Sequence, residues 1–296
     1  MILFGGLHGG YDLLGDTWTY NLTTNKWTAM NPLTSPPARC YHAMVYDTAD
    51  DRVILFGGTM ANPLNSFNDT WTYDPGKNIW TQQNPSTKPL ARGSHAMAYD
   101  SSRDLTVLFG GYTYGTLFGD TWTYDLKTNQ WTDCAPSNAP VPTEFHAMAY
   151  DSANGEIVLF GGINNNESRP DTMLFNGTAN EWIKTNPNTV PPYRYGHAMA
   201  YDSANGKVVL FGGMHGINPD LNDTWTYDVT ADNWTNQNPS EAPMRRANHA
   251  MAYDSARGVV VLFGGYTTSY LNDTWEYQVA PTVLQQPISQ TMHAGG

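Results

Sequence analysis

The 296-residue sequence predicts an all-β fold, a six-bladed β-propeller of four-stranded antiparallel blades, and three recurrences carry that prediction. Gly-Gly follows Leu-Phe at Gly5, Gly57, Gly110, Gly161, Gly212 and Gly264, with intervals of 52, 53, 51, 51 and 52 residues. His-Ala-Met with Tyr-Asp behind it recurs at His42, His95, His146, His197 and His249. Asp-Thr-Trp recurs at Asp16, Asp69, Asp120, Asp223 and Asp273, and Asp171-Thr172-Met173 stands in once. A fixed period near fifty residues marks a repeat architecture, in which each unit covers the next.

Each repeat offers four short β segments, named A to D in chain order. In the fifth repeat and its neighbour they read His249 to Tyr253 and Val259 to Phe263, preceded by Thr224 to Tyr227 and Asn233 to Thr235. Short strands at regular spacing, with turn signals between them, indicate an all-β design. Strands A and B are joined by near-identical turns such as Asp202 to Gly206, where Asn-Gly supplies the positive φ of a tight hairpin. Strand B, for example Val208 to Phe211, is apolar on both faces, so each sheet needs a cover on both sides. A ring of blades provides it and leaves no long open edge. The aromatics of strands C and D lie nine residues apart in Trp18/Trp27, Trp71/Trp80, Trp122/Trp131 and Trp225/Trp234, as expected of side chains that pack between blades.

These features resemble the Kelch family: a hydrophobic strand ending in Gly-Gly, a Tyr-Asp, and a Trp about six residues on, as in Tyr73-Asp74 with Trp80 and Tyr124-Asp125 with Trp131. The resemblance covers residues 1 to about 277. It implies the fold and leaves function open, since Kelch-type propellers include oxidases, sugar mutarotases, ubiquitin-ligase adaptors and secreted binding modules. Residues 1–287 are assigned to the propeller. The chain begins inside a strand B at Met1 to Phe4, and Leu284 falls nine residues after Trp275, so 282–286 is expected to form the sixth strand D. Residues 288–296 are read either as the closing strand A, in the manner of Kelch propellers, or as a linker. The stretch Ala280 to Thr291 resembles the opening of a bacterial immunoglobulin-like module, which would make the chain part of a larger protein.

Fifteen Lys and Arg against 27 Asp and Glu give a formal charge of -12, which provides no footprint for nucleic acid. No apolar run is long enough to span a bilayer, and Met1 to Gly6 lacks the pattern of a signal peptide. Cys40 and Cys134 show neither zinc-site nor disulfide-framework spacing. No cysteine motif marks a copper oxidase of the galactose-oxidase kind, and no phosphate loop or nucleophile motif is present. The expectation is a chain without cofactor or catalytic residues, monomeric or part of a multidomain chain, extracellular or at the surface of a bacterial or archaeal cell.

Strand alternation places the B–C and D–A loops on one face and the A–B and C–D turns on the other. The A–B turns are near copies, whereas the B–C loops differ, and variation of that kind points to a recognition face. Its candidate ligand residues are Tyr112, Tyr114, His215 and Tyr270 from B–C loops, with Tyr195 and Arg39, Arg92, Arg194 and Arg246 from D–A loops. Each arginine stands three residues before the repeated histidine; Thr143 breaks the series, and Glu144 follows it. The resemblance implies that arginines at this place help bind acidic peptides; the competing role is bonding to backbone carbonyls of the adjacent blade. Aromatic and neutral polar groups at a channel mouth suit carbohydrate first and an acidic peptide second. The five histidines read as packing rather than metal ligands, because ligands must converge on one ion. The alternative function is a hydrolase, lactonase or sugar-isomerising enzyme. The fourth unit departs from the repeat at Thr143, Glu144, Met173, Asn176 and Gly177, and Glu144 would be its acid or base.

Overall fold

The computed structural model describes residues 1–9, 12–60, 65–165, 167–168, 170–216 and 220–279. Among them are six blade sheets and two short two-stranded hairpins, all antiparallel, and no helix. Four sheets carry all four strands in the order A-B-C-D; the second blade, for instance, runs Ala43–Asp47, Arg52–Phe56, Thr70–Asp74 and Ile79–Gln83. The first blade shows B, C and D (Ile2–His8, Asp12–Asn21, Lys26–Ala29), and the last shows A, B and C (Ala250–Asp254, Val259–Phe263, Thr274–Tyr277). The sixth strand D expected over 282–286, the closing strand or linker over 288–296 and the immunoglobulin-like opening from Ala280 lie outside the described residues.

Blade packing follows the strand pattern. Strand B of the second blade is buried over Val53, Ile54, Leu55 and Phe56, because it faces a neighbouring blade on each side, and its counterparts in the third to sixth blades are buried in the same way. Each outer tryptophan reaches the preceding blade. Trp80 Nε1 donates to Thr17 Oγ1 at 2.9 Å, and its ring meets Phe4 with centroids 5.1 Å apart. The same pair of contacts closes the ring, with Trp27 of the first blade donating to Thr274 of the sixth at 3.0 Å and lying 4.8 Å from Phe263.

The Gly-Gly pair has a steric cause. Both glycines lie at positive φ, and the second donates its N–H to the D–A loop entering the next blade, as Gly58 does to the Arg92 carbonyl at 2.9 Å. A Cβ on Gly110 would stand 2.5 Å from the Thr143 carbonyl oxygen. Backbone approaches that closely only where no side chain intervenes.

Candidate functional site

On the face of the B–C and D–A loops, the residue before each repeated histidine rims the central axis. These are Tyr41, Ser94, Phe145, Gly196 and Asn248, all in the left-handed region with φ of 55, 57, 56, 65 and 56°. Their amides hand hydrogen bonds round the axis: Ser94 N to Tyr41 O, Phe145 N to Ser94 O, Gly196 N to Phe145 O and Asn248 N to Gly196 O, at 2.7–2.9 Å. A left-handed backbone costs a bulky residue about 1–3 kcal/mol, and the loop-to-loop hydrogen bonds hold it in place. Two of the five are aromatic. Tyr41 and Phe145 meet edge to face at 5.4 Å across the axis, and Phe145 lies 6.3 Å from Tyr195.

Around this rim each D–A loop pairs with the B–C loop of its own blade, through Cys40 with Thr59, Gly93 with Tyr112, Glu144 with Ile163, Tyr195 with Met214 and Ala247 with Tyr266. The variable B–C loops are therefore anchored at their base. Tyr112 accepts a hydrogen bond from Gly115 N at 2.8 Å, which shapes a small hairpin and leaves Tyr114 at its tip 73% exposed. His215 packs at a tilt against Tyr193 with centroids 4.1 Å apart, and Tyr270 meets Tyr266 edge-on at 5.2 Å. Glu144 has its backbone fixed by Ile163, while its carboxyl is half-buried with no ionic or hydrogen-bonding partner among the described residues. Burial pushes its pKa up to about 7.

The four arginines lie elsewhere. Arg39, Arg92, Arg194 and Arg246 are each 0% exposed. Arg39 forms a bidentate pair with Asp69 at 2.6 and 2.7 Å and donates to the carbonyls of Gly57 and Pro37. Arg92 pairs in the same way with Asp120, Arg194 with Asp223 and Arg246 with Asp273. The same aspartates accept from Trp71, Trp122, Trp225 and Trp275. Burial alone would raise the Asp69 carboxyl, but the hydrogen bonds and charge of Arg39 outweigh it and hold it below the usual range. The guanidinium groups thus sit in the blade wall and bring no charge to the mouth, where acidic-peptide binding would need it.

The fourth blade loses both donors together: Thr143 replaces the arginine, Met173 replaces the tryptophan, and Asp171 pairs instead with exposed Lys184 at 2.8 Å. Its other departures have packing causes. Arg103 of the third blade covers Gly177, donating to its carbonyl at 2.6 Å, where a Cβ would collide with the guanidinium. Asn176 donates to Glu156, and Met173 fills the core.

The histidines do not converge on an ion site. Each is wedged edge-on against a phenylalanine of the preceding blade, as His146 is against Phe109 at 5.4 Å. Among the described residues the group with ligand-like spacing is Asp47, Asp50 and Asp104 on the opposite face, where Lys127 pairs with Asp104. Cys40 and Cys134 are free thiols. On that opposite face lies a cavity of about 330 Å³ walled by Tyr46, Tyr99, Tyr150, Tyr201 and Tyr253. Its walls repeat from blade to blade, so the aromatic rim and unlike loops of the other mouth are the better candidate site. Sequence reasoning passed over Tyr41 and Phe145. Their signal was available: they are the two aromatics at a position otherwise held by Ser, Gly and Asn.

The sequence matches the KLHDC2/KLHL20/DRC7 Kelch-repeats domain over residues 1–162 and again over 135–287. Mei4-dependent protein 6 of the fission yeast Schizosaccharomyces pombe is 24% identical over 320 residues, covering 92% of this chain and 45% of its own length. Adagio-like protein 1 of rice, Oryza sativa subsp. japonica, is 28% identical over 286 residues, covering 88% of this chain and 44% of its own length. The chain therefore spans less than half the length of these relatives. Six stacked sheets, the Gly-Gly and Tyr-Asp signatures and a family match over nearly the whole sequence place this chain among the Kelch-repeat β-propellers.

Proposed function

We propose that this propeller is a non-catalytic recognition module that binds a protein segment rich in apolar side chains at the mouth rimmed by Tyr41, Phe145 and Tyr195. The observation that carries it is the aromatic pair Tyr41–Phe145, held over the axis by backbone in the left-handed region. Exposed Tyr114, Tyr193, Tyr266 and Tyr270 surround it, and aromatic anchors usually carry much of an interface's binding energy. With the arginines inside the wall, an acidic peptide has little to hold it here. The relatives come from a yeast and a plant, which lends no support to a bacterial or archaeal origin.

Glu144 favours a second reading. A half-buried carboxyl that is protonated near neutral pH is what a general acid needs, so a hydrolase or sugar-isomerising site at the same mouth is the alternative. One experiment separates the two. A peptide array and a glycan array are probed with the full chain, then with Phe145→Ala and Glu144→Gln, alongside a screen of esters, lactones and glycosides. Peptide binding that falls about tenfold or more in Phe145→Ala and changes little between 50 and 300 mM salt is the expected result, because stacking is not screened. Binding to glycans alone would shift the ligand class to carbohydrate, and turnover lost in Glu144→Gln would overturn the non-catalytic reading.

A further inference from the structure

The D–A loop entering the fourth blade differs from its counterparts in charge. In the second, third, fifth and sixth blades an arginine and an aspartate cancel each other inside the wall, and the residue after the arginine is uncharged: Cys40, Gly93, Tyr195 or Ala247. In the fourth blade the arginine is replaced by Thr143, whose hydroxyl donates to the Val141 carbonyl at 2.7 Å, and the next residue is Glu144. One positive charge has left this loop and one negative charge has entered it. The Glu144 backbone is held on both its N–H and its C=O by Ile163, at 3.1 and 2.9 Å. The neighbouring loop is tied to it, since Gly196 donates to the Phe145 carbonyl at 2.8 Å, and this sets Tyr195 6.3 Å from Phe145. The half-buried carboxyl itself has no partner among the described residues, and burial is the one cause of its raised pKa, with no neighbouring charge adding to it.

We infer that the segment bound at this mouth carries an organic cation, from a lysine, an arginine or an amino terminus, that seats on the Glu144 carboxylate beside Phe145 and Tyr195. The inference rests on the apolar-segment reading above and adds a charge to it. A partly desolvated carboxylate without a partner gains from a cation that can donate to it, and a charge-assisted hydrogen bond of this kind is stronger than a neutral one. Aromatic rings beside the carboxylate favour the same sign of charge, because the face of a ring attracts a cation. The chain's formal charge of -12 draws cations and repels acidic ligands. A half-buried pair is screened less than an exposed one, so one such contact leaves the salt dependence of binding weak. A bound cation would hold Glu144 ionised, the opposite of what a general acid needs.

The test uses the full chain at about pH 8, where the carboxyl is mostly ionised. Kd is read by NMR for the acetylated, amidated peptides Phe-Lys-Phe, Phe-Arg-Phe, Phe-norleucine-Phe and Phe-Glu-Phe, and for Phe-norleucine-Phe with a free amino terminus. At least one cationic peptide should bind about fivefold or more tighter than blocked Phe-norleucine-Phe, and the arm that gains identifies the source of the cation. The gain disappears in Glu144→Gln, which binds the norleucine peptide as the wild type does. Glu144→Lys transfers the gain to Phe-Glu-Phe, a reversal that a merely structural role would not produce. The inference is overturned if no cationic peptide outbinds the norleucine peptide, or if the gain survives in Glu144→Gln. The apolar reading fails separately, if Phe145→Ala binds the norleucine peptide no more weakly than the wild type does.

Discussion

A guanidinium with no exposed surface has given up all its water, and acceptors for most of its N–H groups make that tolerable. In blades two, three, five and six two carboxylate oxygens and two carbonyls receive four of the five N–H groups of each arginine. Removing one partner strands the other. Arg194→Ala should therefore cost about 3–5 kcal/mol of stability in urea unfolding, by leaving Asp223 half-buried beside a void. Asp171→Asn, which breaks only the exposed pair with Lys184, should cost about 0–1 kcal/mol. Equal losses would mean that the buried pairs are not what secures the D–A loops. The arginine series was plain in the sequence, but its direction was not. The recurring aspartates were equally plain, and Thr143 and Met173 change together in the one blade where Asp171 lacks its usual partners. That joint departure was the legible sign of a three-residue unit, although proximity in space is what makes it one.

Between residue and molecule, the element that sets the geometry is the glycine pair ending strand B. It turns the chain outward at positive φ and lets the next D–A loop lie against its backbone. Gly110→Ala would meet both the left-handed strain and the Thr143 carbonyl 2.5 Å away, at a cost of about 2–4 kcal/mol. Gly155→Ala is the control, because its φ is also positive but nothing lies within 4 Å of the added Cβ, so about 1 kcal/mol of strain should be the whole effect. Urea titration of both variants checks it, and indistinguishable midpoints would show that close approach contributes nothing. Strand positions were legible in advance because alternation, turn residues and period all agreed. Tyr195 and Glu144 were legible as loop residues of the right face. What the rim does was not, because the φ of Tyr41 and Phe145 is imposed by hydrogen bonds from neighbouring loops about fifty residues away, and no local signal encodes it.

At the scale of the whole ring, blade interfaces share one titratable part, so acid should act on them together. His95, His146, His197 and His249 are buried and His42 is partly so, each against a phenylalanine of the preceding blade, and the Nδ1 atoms of all five have no partner among the described residues. Burial first, and then the nearby Arg39 or Arg246, push His42 and His249 down to about 3; burial holds His146 at about 4. His95 and His197 are lowered by the same burial, by Arg92 or Arg194 and by neighbouring histidines. A histidine that is neutral when folded but takes a proton when unfolded stabilises the fold fully above its unfolded pKa of about 6.5, and that contribution drains away as pH falls toward the folded value. Each contributes a slope of about 1.4 kcal/mol per pH unit within that window. The arginine-bound aspartates add a loss of the same sign at lower pH, below the ordinary carboxylate range. Unfolding free energy should thus be level above pH 7 and fall with increasing steepness from about pH 6, in one cooperative transition. Urea titrations at half-unit steps from pH 8 to 4 measure it, with His95→Asn plus His197→Asn expected to remove about two protons from the slope. A profile that stays flat from pH 7 to 5, or a double variant with the wild-type slope, would mean that the histidines are solvated and the blade seams are wetter than the packing implies.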